Sequence, residues 1–92
     1  MNIYMDTRLI RDAGNDINTL LNQMNDKINN IYDKLININQ TNWKGKGADA
    51  FSNDATKYKL ESIEFINKLK EYSNYLIATA DMFEHTINDS RR

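Results

Sequence analysis

The sequence predicts an all-α protein in which two long amphipathic helices fold back on each other as an antiparallel helix-turn-helix hairpin. Three observations carry that prediction. Apolar residues recur in alternating steps of four and three along both halves of the 92-residue chain, the spacing of a helix packed at a shallow angle on others. No proline interrupts either half, which suits long unbroken helices. Between the halves lies Asn42-Trp43-Lys44-Gly45-Lys46-Gly47-Ala48-Asp49-Ala50-Phe51, with all but one of the glycines and the only tryptophan. A glycine-rich break of this kind is where a helix ends and the chain reverses. A single domain over residues 1–92 is expected, with helix 1 at about 6–40, a turn at about 41–47, helix 2 at about 48–88 and a frayed tail at 89–92.

The first helix is drawn by the series Ile3, Thr7, Ile10, Gly14, Ile17, Leu21, Met24, Ile28, Ile31, Leu35, Ile38, a heptad seam that runs unbroken over its length. Leu9, Ala13, Leu20 and Ile36 widen the stripe towards what a bundle needs. Asn15, Asn18, Asn22, Asn25, Asn29 and Asn30 crowd the same segment, and asparagine is a poor helix former. Burial of the stripe, rather than propensity, must hold this helix. Gly14 sits in the seam, where it either admits a close backbone or costs about 1 kcal/mol of helix propensity.

At the turn, Gly45 and Gly47 can take positive φ, which the reversal requires at one of them. Lys44 and Lys46 alternate with these glycines, yet no G-x-x-x-x-G-K-[ST] pattern is present, so a nucleotide loop is not read here. Trp43, at the end of the apolar pattern, can cover the open end of a bundle.

Helix 2 carries the series Phe51, Ala55, Tyr58, Ser62, Phe65, Leu69, Tyr72, Leu76, Thr79, Phe83, Thr86, flanked by Leu60, Ile63, Ile66, Tyr75, Ile77, Ala80, Met82 and Ile87. This arc is broader than one neighbouring helix covers, so a second contact surface and dimerisation are expected. The expected dimer or bundle core comprises Ile17, Leu21, Met24, Ile28, Ile31 and Leu35 on helix 1, with Phe51, Tyr58, Phe65, Leu69, Tyr72 and Leu76 on helix 2. Aromatics at helical spacing are read as packing rather than as a ligand cleft. Lys57, Lys59, Lys68 and Lys70 are expected to pair with neighbours such as Glu61, Glu64 and Glu71.

Composition narrows the function. Twelve basic against 13 acidic side chains give a net charge of −1, no footprint for nucleic acid and no strong pull towards acidic lipid. Without cysteine there is no disulfide and no thiolate metal site. The single histidine, His85, lies four residues from Asp81, but two ligands do not make a metal site. No cofactor and no catalytic constellation are expected, and the chain is read as a non-enzyme. No apolar run reaches the roughly 18 residues of a membrane span, and Met1-Asn2-Ile3-Tyr4-Met5-Asp6 lacks the regions of a cleaved signal peptide.

Trp43-Lys44-Gly45 near mid-chain, followed by small residues and then Ala50-Phe51, resembles the WXG family, the small ESAT-like helical hairpins handled by type VII secretion systems. The two helices around a central Trp-x-Gly, the length, and the lack of proline and cysteine extend the resemblance over essentially the whole chain. It implies a dimer of antiparallel hairpins forming a four-helix bundle, made in the cytoplasm and exported without a cleaved signal peptide. It implies as partners a second copy or another small WXG-like protein, and the membrane ATPase of the secretion system. In such proteins the Trp-x-Gly turn of one protomer and the C-terminal end of the partner's second helix form a composite export signal. Trp43 and Gly45 inherit the first part.

The family's tail motif, Tyr followed four residues later by Asp or Glu, is absent: Tyr72 meets Leu76, Tyr75 meets Thr79 and Phe83 meets Ile87. Ile77 with Asp81, and Ala80 with Glu84, are looser apolar-to-acid pairs that can stand in for it. Either the signal is degenerate, or another protein carries it and this chain is a chaperone-like or co-secreted companion of a larger effector. A membrane-active effector is a rival reading, opposed by the near-neutral charge and few lysines on the polar faces. A generic coiled-coil module explains the heptads but not the Trp-x-Gly turn.

Overall fold

The structure, a computed structural model, describes residues 5–90, and their side chains apart from 39–41 and 87–90. Ile3 of the first expected seam, the Ile87 side chain, and Arg91 and Arg92 of the expected tail lie outside what is described. Two helices, α1 (Thr7–Thr41) and α2 (Lys46–Ser90), make an all-α hairpin. The Asp6 carboxylate accepts the Leu9 backbone N–H at 3.2 Å, an N-cap that satisfies one of the free donors of the first turn. The connection is residues 42–45, shorter than the expected 41–47, because α2 takes up Lys46 and Gly47 in its own first turn. Nothing in the sequence stops α2 at residue 88, and it continues through Ser90.

The chain divides into two compact units, one formed by Met1–Leu21 with Lys68–Arg92 and the other by Asn22–Asn67. In the first unit the start of α1 and the end of α2 run antiparallel, with Arg11 beside Asp81 and Glu84, and Asn18 beside Asn74. The helices approach closely at Gly14. A Cβ built there would lie 2.5 Å from Ile77 Cγ1 and 3.3 Å from the Ser73 carbonyl oxygen. Ser73, 2% exposed, donates its hydroxyl to the Gly14 carbonyl at 2.7 Å. Leu21 and Ala80 complete the buried part of this unit. Of the two readings of Gly14, the close approach is the one realised. The Asn18 amide nitrogen donates to Asn74 Oδ1 at 3.0 Å, while Asn18 Oδ1 is buried without a hydrogen-bond partner.

In the second unit, Ala48, Ala55 and Ile66 are the buried apolar residues, and Lys59 reaches across to Asp33 of α1 at 2.9 Å. The sequence spacing points Lys59 to acids on its own helix. An antiparallel neighbour places Asp33 within reach instead.

The residues of α2 buried within the protomer come both from the expected main series, as Ala55, and from its flanks, as Ile66 and Ala80. The buried residues of α2 are mostly small, Ala48 and Ala55 in one unit and Ser73 and Ala80 in the other, with Ile66 as the large exception, while Ile77 is half-buried over Gly14. The large series faces outwards. Phe51, Tyr58, Phe65 and Tyr72, each seven residues from the next, are 37%, 54%, 62% and 66% exposed. On α1, Ile17, Met24 and Ile31 repeat the pattern and are exposed as well. Of the expected core residues, Leu21 is buried within the protomer, Ile28, Leu35 and Leu69 are half-buried, and Leu76 is exposed with the rest. At Gly14 the close approach leaves no room for a bulky side chain between the backbones.

The packing at Gly14 makes a direct prediction. Gly14→Ala gains up to about 1 kcal/mol of helix propensity, but overpacking against Ile77 and the Ser73 backbone costs about 1–3 kcal/mol. A thermal or urea melt should show net destabilisation. An equal or higher midpoint would contradict the close approach.

Candidate functional site

The turn is built by one unusual backbone angle. Gly45 has φ of +123°, a region that side-chain-bearing residues rarely occupy. A Cβ added to Gly45 would meet nothing within 4 Å, so conformation rather than space demands the glycine. Gly45 then opens α2: its carbonyl accepts the Asp49 N–H at 3.0 Å. Asp49 lies in the first turn of that helix, where the helix dipole favours a negative charge. Gly47 is different, because it already lies within α2, and a Cβ there would sit 3.5 Å from Trp43 Cζ2, an ordinary contact. Of the two glycines weighed for positive φ, Gly45 is the one.

Trp43 does not sink into a core. It is 44% exposed, and its ring packs on Phe51 with centroids 5.6 Å apart and planes tilted by 50°, a favoured aromatic geometry. One residue past the start of the break and eight before Phe51, Trp43 packs on Phe51 of α2 and stays part-exposed. Lys44 and Lys46 beside it are exposed.

The tail residues expected to stand in for the second part of the signal divide into two kinds. Ile77 packs against Gly14, and Ala80 is fully buried, so both apolar members are turned into the hairpin. Asp81 and Glu84 lie at its surface, held by Arg11. The guanidinium donates from Nε to Asp81 Oδ1 at 2.8 Å and from its terminal nitrogen to Glu84 Oε2. Hydrogen bonds from Arg11 and Thr7, with the arginine's charge, hold the Glu84 carboxyl below the usual glutamate range. The same two acids raise the Arg11 pKa.

Arg11 and Thr7 are absent from the series read in the sequence as site residues. Arg11's partners are 70 and 73 positions away, so no local spacing points to it.

Among the described residues, open grooves line the surface of each unit. In the second unit, Met24, Tyr58 and Phe65 flank a groove floored by Ile28 and Ile66. In the first, Met5, Tyr75, Met82 and Phe83 line another. Both are apolar and shallow, suited to side chains of a partner rather than to chemistry. Among the described residues no group of three or more His, Cys, Asp or Glu is placed to hold a metal ion, and no helix is long and apolar enough to cross a membrane.

The glycine requirement at the turn is testable. Gly45→Ala forces a side chain into the +123° region and should cost about 1–3 kcal/mol, whereas Gly47→Ala should leave stability unchanged or slightly raised. Equal tolerance of both substitutions in chemical denaturation would contradict this account of the turn.

Comparison with curated proteins and with solved structures finds no match. Residues 2–86 match the family described as "WXG100: Proteins of 100 residues with WXG". With that match over most of its length, a two-helix fold and Trp43-Lys44-Gly45 at the reversal, the chain belongs to the WXG100 family, small helical proteins associated with type VII secretion.

Proposed function

We propose that this protein is a secreted type VII substrate or adaptor that works by protein–protein recognition, with the Trp43-Lys44-Gly45 turn and the tail of α2 forming a composite export signal. The observation that carries this reading is the half-exposed Trp43, fixed on Phe51 by a turn that only a glycine at position 45 makes. Its exposed part is available to a partner, and aromatic residues of this kind anchor interfaces.

WXG100 proteins generally form dimers with partners in type VII secretion, and the outward seams supply the surface for one. Phe65 and Tyr58 beside Met24, in the second unit, are large apolar groups left in water. Burying each such side chain stabilises by about 1.5–3 kcal/mol. The occupant is a second copy or another small WXG-like hairpin. In such a dimer the turn of one protomer meets the tail of the other, and the membrane ATPase of the secretion system reads both.

The tail favours a second reading. Ala80 is fully buried and Ile77 is half-buried over Gly14, so an apolar-to-acid motif presents mainly its acids. This suits a chaperone-like or co-secreted companion whose larger partner supplies the missing part of the signal.

Trp43→Ala tests the proposal. In cells carrying a type VII system, the variant should keep its helicity by circular dichroism, yet accumulate inside the cell and fall sharply in the culture supernatant. Undiminished secretion of a folded Trp43→Ala chain would refute the role of the turn.

A further inference from the structure

We propose that Arg11 is a positioning residue for the acidic end of α2, so that the first turns of α1 contribute to what the secretion machinery recognises. The inference deepens the reading above and rests on the tail being part of the signal. Asp81 and Glu84 are three residues apart on α2, and Arg11 reaches both from the opposite helix. Long side chains on a helix surface sample several rotamers, and fixing them costs entropy when a partner binds. The planar guanidinium holds two carboxylates at once in a set geometry, and Thr7 adds a further hydrogen bond to Glu84.

The exposures show what this clamp leaves free. The Asp81 and Glu84 side chains remain 57% and 45% exposed, against 32% for Arg11. One part of each carboxylate is tied to Arg11, and the rest faces solvent. Two acids against one arginine leave the cluster negative, so it still offers a partner an acidic surface.

Hairpin closure does not need the clamp. Exposed ion pairs contribute little to stability, and the same unit is already closed by Gly14, Ser73, Ile77 and Ala80. The contribution left to Arg11 is orientation.

The experiment compares the full chain with Arg11→Gln, Arg11→Lys, the pair Asp81→Asn with Glu84→Gln, and all three neutralising changes together. Each is read for export in cells carrying a type VII system and for its thermal midpoint. Arg11→Gln should reduce export several-fold with little change in midpoint, and Arg11→Lys should recover part of it. Neutralising the acids should reduce export at least as far, and adding Arg11→Gln to that pair should reduce it no further, since groups acting as one unit are non-additive. Export of Arg11→Gln at or above the wild-type level would overturn the proposal. So would additive losses, or losses in both Arg11 variants that follow a lowered midpoint. Export that depends on Trp43 but not on Arg11 sinks this inference alone, whereas export indifferent to Trp43 sinks the reading of the turn beneath it.

Discussion

The structure depends on the small residues that α2 turns towards α1. In the first unit, the absence of a side chain at Gly14 lets the helices approach until Ser73 bonds directly to the Gly14 backbone carbonyl. Ile77 lies over Gly14, where the missing side chain makes room for it. In the second unit, Ala48, Ala55 and Ile66 are the buried apolar residues, while Phe51, Tyr58 and Phe65 stay exposed on the same helix. Burial within the protomer thus leaves a second apolar surface.

That second surface connects packing to function. Apolar side chains that stay wet in the protomer are a standing incentive to associate, and their seven-residue repeat fits the long helices of another hairpin better than a compact ligand. The polar surface near the end of α2 is organised differently. There the free valences are carboxylates, and α1 itself supplies the arginine that orients them. At the reversal, Gly45 allows a short connection that leaves Trp43 against Phe51 with part of its ring in solvent. Each region offers a partner something chemically distinct: an aliphatic and aromatic stripe, an indole face, or an oriented acid pair.

Much of this was legible in the residues. Uninterrupted periodicity without proline specifies two long helices, and the glycine pair with Trp43 marks the reversal. Which face of α2 meets α1 was not legible from periodicity. A heptad series shows which residues share a face, but α2 has two adjacent series, and Ala55 and Ser62 belong to the edge of both. Phe51, Tyr58, Phe65 and Tyr72 stay exposed within the protomer, and the close approach at Gly14 in the first unit is a tertiary fact that periodicity does not carry. Ile77 and Ala80 are placed by spacing from Asp81 and Glu84, and the protomer half-buries the first and fully buries the second. Arg11 escaped notice because its role exists only once distant segments are antiparallel.

The central claim is that the large apolar stripe belongs to an interface and the small seam alone makes an incomplete fold. The most direct test is the solution mass of the purified chain by sedimentation at micromolar concentration, combined with its thermal melt. The account predicts that cooperative unfolding accompanies an associated species, twice the mass of one chain if the partner is a second copy, and that without a partner the chain is poorly folded. A monodisperse monomer that melts cooperatively would contradict it, because the stripe would then have no need of a cover.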